Sequence, residues 1–181
     1  MMMLNQAVRY SHIIQILRRY GCIDPSVRIL EVGSGSIGLG DYVKSRFIGC
    51  DIELRNISPY LLPVIGSSHQ LPFKDSSFDV TTSSDMLEHL ANENRLEAIC
   101  ELLRVSRRIV VIATPCGRES ELCERKIASL YSRAHKKQPE WLTEHLVNGP
   151  PDEELISSIL SAKKKYCISI LLITRTSECT T

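Results

Sequence analysis

The sequence predicts an α/β fold: a Rossmann-like, doubly wound, mostly parallel sheet with helices on both faces, in three layers. Three observations carry this. Short apolar runs alternate with helical patterns along the 181 residues. The first run, Val27 to Val32, leads into a glycine-rich turn, Gly33-Ser34-Gly35-Ser36-Ile37-Gly38. The second, Phe47 to Asp51, ends on an acidic residue, the separation from Glu31 being that of a strand–turn–helix–strand unit.

Each element follows from its own pattern. Tyr10, Ile13, Ile14, Leu17 and Tyr20 form a helical stripe that Gly21 is suited to cap. The helix between the first two strands has room for only about two turns. Pro59 and Pro63 interrupt the second crossover, which should be an irregular loop before a third strand near Leu62 to Gly66. Phe78 to Ser83 is the fourth strand. Leu96, Ile99, Cys100 and Leu103 define the next helix by their i, i+3, i+4, i+7 spacing. Ile109 to Ala113 is a run suited to a parallel strand covered on both faces, and Pro115 stops it. Glu119 to Lys137 is polar and helical, and Trp141 to Leu146 runs up to Asn148-Gly149-Pro150-Pro151. A helix begins at Asp152-Glu153-Glu154, with Leu155, Ile156, Ile159 and Leu160 as its buried face. Cys167 to Thr174 is the sixth strand.

Composition narrows the class. The length fits one domain, residues 1–181, with a core of about 22–116 and a variable helical region over 117–165 on the substrate side. A formal net charge of +1 argues against nucleic acid or acidic membranes as partners. Lys163-Lys164-Lys165 falls where a helix should end, a favourable position for positive charge. Neither a signal peptide nor a membrane span is expected, which points to a cytoplasmic protein. Seven cysteines without a Cys-x-x-Cys pair suggest reduced thiols rather than a disulfide framework or a zinc site.

The glycine turn suits a nucleoside whose charged tail lies over the turn and whose ribose hydroxyls meet a carboxylate. Gly33 and Gly35 permit positive φ and a close ligand approach. Backbone N–H groups at the following helix start accept an anion, and Asp51 can accept from two vicinal hydroxyls. Gly33-x-Gly35-x-x-Gly38 alone matches a dinucleotide fingerprint and leaves NAD open. Against NAD stand the acidic Glu31, two places before the first glycine, and the helical segment that precedes the strand. Glu31 suits a ligand with an ammonium beside its carboxylate, as in S-adenosylmethionine.

A second segment bears on that choice. Leu71-Pro72-Phe73, a short acidic turn, Ser77-Phe78-Asp79, a strand, and Leu87-Glu88-His89 follow in order. Together with the glycine turn they resemble the class I S-adenosylmethionine-dependent methyltransferases, in particular the type 11 group, over about residues 8 to 116. The resemblance implies methyl transfer to a small-molecule or lipid-like acceptor, with S-adenosyl-L-homocysteine as product. It implies six parallel strands here, with the usual C-terminal antiparallel strand short or missing. It assigns cofactor contacts to Glu31, Gly33, Ser34, Gly35, Asp51 and Ile52, and to His69, Gln70, Leu71, Ser83 and Ser84. Ile37 stands where the family commonly has a third glycine, which Gly38 would replace. Ser67-Ser68-His69-Gln70 lacks the acid that often meets the adenine amine.

Asp85 and His89 are the candidate catalytic residues, near the reactive methyl group. His89 is a general base, a pocket-lining residue or a structural one. Methyl transfer often needs no base, because holding the nucleophile in line can carry much of the rate. Trp141 and His145 are candidates to cover the site from the variable region. A metal site is not expected; the one combination with ligand chemistry is His69, Asp85 and His89. The alternatives to an enzyme of this type are a cofactor-binding or interaction module without catalysis, or an NAD-dependent oxidoreductase.

Overall fold

The computed structural model describes the backbone of residues 2–134, 137–162 and 168–173. Its elements in chain order are α1 (Met2–Arg19), β1 (Ile29–Val32), α2 (Gly40–Val43), β2 (Phe47–Asp51), β3 (Leu61–Ile65), β4 (Phe78–Ser84), a 3-10 turn (Leu87–His89), α3 (Asn92–Val105), β5 (Ser106–Thr114), α4 (Gly117–Ala134), α5 (Glu140–Asn148), α6 (Glu153–Ala162) and β6 (Ile168–Ile173). The six strands form one sheet in the order β3-β2-β1-β4-β5-β6. Every adjacent pair is parallel. The order reverses between β1 and β4, and open α/β sheets bind ligands at the carboxyl ends of the strands beside such a switch. A C-terminal antiparallel strand would fall in residues 174–181, outside the described residues, as do Lys163 to Lys165.

Alternation along the strands builds two cores. Leu30, Val32, Val110 and Ile112 face Ala98, Ile99, Leu102 and Val105 of α3 and Ile156 and Leu160 of α6. Val80, Ile109, Val111 and Ala113 face the opposite way, toward Tyr10, Ile13, Ile14 and Leu17 of α1 and Leu39 beside α2. The three layers are therefore those expected. The cap of α1 is also as read: Gly21 has φ +63°, and its N–H and that of Cys22 return to the carbonyls of Arg18 and Leu17.

Several details depart from the sequence reading. The first crossover holds one helical turn, not two, because residues 35–39 form successive turns before Gly40. Leu96 and Leu155 are about half exposed, at 49% and 54%. The buried stripe of α3 is Arg95, Ala98-Ile99, Leu102 and Val105, one step round from the expected set. Tyr20 lies beyond α1 and is partly exposed. Cys22, Cys50, Cys100 and Cys116 are free thiols, but Cys123 is disulfide-bonded, contrary to the expectation of reduced cysteines. The second crossover is irregular, as the prolines require. Pro63 is tolerated because β3 is an edge strand bonded only to β2. Among the described residues no helix is long and apolar enough to cross a membrane.

Candidate functional site

The glycine turn joins the ends of β1 and β2. Gly33 has φ +74° and Gly35 φ +55°, both in the left-handed region. A Cβ on Gly33 would stand 2.6 Å from Met86 Cγ, so this glycine lets the turn pack on the segment after β4. A Cβ on Gly35 would meet nothing within 4 Å, which leaves open space over that peptide. The Gly35 N–H donates to Asp51 Oδ2 at 2.8 Å, so the end of β2 and the turn are held together. Gly38, at φ +62°, serves packing instead: a Cβ there would strike Phe47 and Glu31 Oε2.

Glu31 is fully buried, and both its oxygens accept hydrogen bonds. Tyr10 Oη donates to Oε1 at 2.8 Å and the Leu39 N–H to Oε2 at 2.7 Å. Burial pushes the carboxyl pKa up to about 7, and those two bonds offset only part of that effect. Burial and then the adjacent Glu31 carboxylate also push the Tyr10 hydroxyl upward, which keeps it a donor. Glu31 is thus a hydrogen-bonded strand-end carboxylate. Glu31 shapes the turn from within.

A serine overlooked in the sequence ties the turn to the irregular loop. Ser36 Oγ accepts from the Arg55 N–H at 2.9 Å, and the Ser36 carbonyl accepts from the Ser58 N–H at 2.8 Å. Ser58 Oγ then donates to Asp41 Oδ1. Ser34 is buried, and its hydroxyl donates to the Gly35 carbonyl at 3.0 Å. A Cβ on Gly49 would come within 2.5 Å of that hydroxyl.

Next to Asp51, Ile52 presents an apolar side chain that is 76% exposed. Past β3, Ser67 and Gln70 form an isolated bridge, and Ser67 Oγ lies 2.9 Å from His69 Nδ1. His69 and Gln70 are exposed and Leu71 is buried. A clamp from α3 fixes this segment. Glu101 Oε2 accepts from the Leu71 N–H, while Arg104 donates to the carbonyls of Phe73 and Leu71. The Glu101 partnership, first with Arg104, holds its carboxyl below the usual range.

After β4 the chain turns sharply at Asp85, which has φ +48°, a strained value for a residue with a side chain. Its N–H donates to the Ala113 carbonyl, and Ser84 Oγ donates toward its Oδ2 at 3.4 Å. Ser83 does not open onto this edge. It is buried, and its hydroxyl has no partner among the described residues.

His89, a candidate general base, pocket-lining or structural residue, sits in a chain of four side chains. Glu144 Oε2 lies 2.7 Å from His89 Nδ1, His89 Nε2 lies 3.2 Å from His145 Nε2, and His145 Nδ1 lies 2.8 Å from Glu124 Oε1. Both ring nitrogens of His89 are engaged, which argues against its acting alone on a substrate proton. The rings stand 4.5 Å apart at 70°, and Trp141 packs edge-on against His145. Arg95 secures the arrangement, donating to the carbonyls of Leu87, Asn148 and Gly149, while Asn148 Nδ2 donates to the His89 carbonyl. Among the described residues, His69 and Asp85 do not converge with His89 at metal-ligand spacing. A cleft of about 280 Å³, lined in part by Leu17, Ile23, Val27 and Phe47, opens at the opposite edge, where the strands begin.

Residues 30–112 match the family model of a methyltransferase domain. A glycine/sarcosine/dimethylglycine N-methyltransferase of Actinopolyspora halophila is 27% identical over 121 residues, 55% of this chain. The chain spans only 21% of that relative's length. Among solved structures, the YcgJ protein of Bacillus subtilis has a TM-score of 0.59 at 16% identity, covering 84% of this chain and 68% of its own. Magnesium protoporphyrin IX methyltransferase from Synechocystis PCC 6803, solved with bound S-adenosylhomocysteine, has a TM-score of 0.60 at 14% identity, covering 88% and 73%. At these identities the likeness is one of fold.

Proposed function

From the premise that residues 30–112 are a class I methyltransferase domain of the type 11 group, we propose that the chain transfers a methyl group from S-adenosylmethionine to a small-molecule or lipid-like acceptor. One observation carries the reading: the Gly35 N–H bonded to Asp51 Oδ2, beside open space over Gly35, at the carboxyl end of β1 and β2. That pairing fixes the Asp51 carboxylate, an acceptor for hydroxyls, beside the open face of the turn, the placement a nucleoside with a carboxylate tail requires.

Asp51 accepts the ribose hydroxyls, and the turn's exposed peptide groups receive the carboxylate of the tail. Ile52 supplies an apolar cover for the base, and the clamped segment around Leu71 supplies the opposite wall. Bound there, S-adenosylmethionine supplies an electrophilic methyl carbon on a sulfonium sulfur. Ser84 and Asp85 border the acceptor side, because Met86, the next residue, packs on Gly33. Their task is to orient the acceptor and exclude water, the positioning that can contribute ~7–11 kcal/mol in favourable cases. A net charge of +1 favours a small acceptor over a nucleic acid.

Calorimetric titration with S-adenosylhomocysteine, with NADH in parallel, tests the cofactor. Saturable binding of the former alone is expected, and NADH binding alone would transfer the turn to an oxidoreductase. A screen with labelled methyl donor then tests turnover. Binding without transfer to any acceptor would leave a cofactor-binding module.

A further inference from the structure

We propose that His89, His145 and Glu88 form a three-ligand site for a divalent transition-metal ion, zinc by preference, with a fourth position open. The first ground is the direction of the lone pairs. An ionised carboxylate only accepts hydrogen bonds, so Glu144 and Glu124 each fix the proton of their histidine on Nδ1. With Nδ1 of each ring turned to a carboxylate, the two Nε2 atoms face one another at 3.2 Å. Two imidazole nitrogens so placed are bridged either by a proton or by a metal ion. Two ligand nitrogens about 2.0–2.1 Å from a tetrahedral zinc stand about 3.3 Å apart. The observed separation matches that of two ligands on one ion.

The second ground is the third ligand. A carboxylate oxygen of Glu88, a residue only 1% exposed, completes a group whose ligand atoms all lie within 4.8 Å of one another. Thr114 Oγ1 donates to Glu88 Oε2 at 2.9 Å and orients that carboxylate. Each ligand thus has an outer partner: Glu144 and Glu124 for the imidazoles, Thr114 for the carboxylate. Outer partners of this kind set the tautomer and geometry of metal ligands. Two histidines and one carboxylate with one position left for water or a substrate oxygen is the donor set of an open zinc site.

The third ground is that the fold holds the two histidines together across a long stretch of chain. His89 lies in the 3-10 turn after β4, and His145 lies on α5. Arg95 and Asn148 bolt the end of α5 to that turn. His145 is buried, whereas the His89 side chain is 35% exposed, so an entry path remains on the His89 side.

The test uses the full chain. After chelator treatment it is titrated with cobalt(II) as a spectroscopic stand-in and with zinc(II) in competition with an indicator dye. The expected result is stoichiometric binding, with visible bands of tetrahedral cobalt and no thiolate charge-transfer band. His145→Ala should abolish it, and so should His89→Gln, a milder change at a half-exposed position. Glu124→Gln, which leaves every ligand in place, should weaken affinity about 10–100-fold. S-adenosylhomocysteine titration and circular dichroism of the same samples report whether each variant is folded. They also separate failure of this site from failure of the cofactor reading. Absence of binding by the folded chain would overturn the proposal and leave a proton shared by the two rings. A thiolate band, or affinity unchanged in both histidine variants, would place the ion elsewhere and overturn it equally.

Discussion

The two sides of the carboxyl edge are built differently. On the β1–β2 side, the groups that matter sit within one short stretch of chain: Glu31, Gly33, Gly35 and Asp51, joined by bonds from the turn's backbone such as Gly35 N–H to Asp51 Oδ2 at 2.8 Å. On the β4–α5 side, they come from distant parts of the chain, with His89 and His145 56 positions apart and His89 and Glu144 55 apart. The first side is a backbone device in which side-chain absence is functional. The second is a side-chain device whose geometry depends on packing α5 against a 3-10 turn. Mutations should therefore act on the first side through conformation and burial, and on the second through single polar contacts.

The largest expected effect is at Gly35. Its φ of +55° disfavours any β-branched residue, and the space above it is where the ligand lies in our reading. Gly35→Val should reduce S-adenosylhomocysteine binding below detection by calorimetry while the chain stays folded by circular dichroism. Normal binding by that variant would remove the glycine turn from the site.

Glu31 comes next, as a matter of stability rather than affinity. Its carboxyl is raised from 4.5 to about 7 by burial, despite the bonds from Leu39 and Tyr10. Between those values the folded chain holds a proton that the unfolded chain has released, so stability falls as pH rises. The favourable contribution of this group is complete below about 4.5 and gone above about 7. Glu31→Gln mimics the protonated form: its oxygen can accept from Leu39 and its amide can donate to the Tyr10 oxygen. Relative to the parent, it should gain roughly 3 kcal/mol across this window. Urea unfolding of the unliganded chain at the two ends checks this, and a pH-independent difference would show that Glu31 stays charged when folded.

Asp51→Ala should weaken cofactor binding at least tenfold, since a hydrogen bond to a charged group contributes ~1.5–3 kcal/mol. It also frees the Gly35 N–H, so part of the loss belongs to the turn itself. Calorimetry on the folded variant decides, and unchanged affinity would move the ribose contact to another residue.

The same contrast explains what could be read from the sequence. Strand ends, the turn glycines and Asp51 were legible because their spacing is local and a β-α-β unit has few ways to fold. A carboxylate beside a glycine turn does not by itself reveal that Tyr10 Oη and the Leu39 N–H bond both Glu31 oxygens. Gly38 takes a positive φ of +62° as a turn glycine does, and its missing side chain also makes room for Phe47. The α2 helix came out short because turns consume residues 35–39, and helical periodicity is silent over so few positions. Nothing local could pair His89 with His145. The nearest signal was His145 itself, one turn from Trp141 on an amphipathic segment, with Glu124 in register on another polar helix. Ser36, Glu101 and Arg104 escaped notice for the same reason: their partners lie across loops whose path propensity does not determine.

The smallest effects separate the two carboxylates of the histidine chain, and their difference is the sharper test of the β4–α5 side. Glu124 is buried against a buried His145, with side chains 5% and 10% exposed. Replacing it by Gln leaves a weaker acceptor and an extra donor where there is little water, at a cost of about 1–3 kcal/mol. Glu144 and His89 are roughly half and one-third exposed, so solvent screens their pairing, and Glu144→Gln should cost less than about 1 kcal/mol. Thermal unfolding of both variants at one pH reads the order directly. Equal costs would mean that α5 is not seated on the 3-10 turn as described, because the asymmetry exists only while His145 and Glu124 are shielded beneath it.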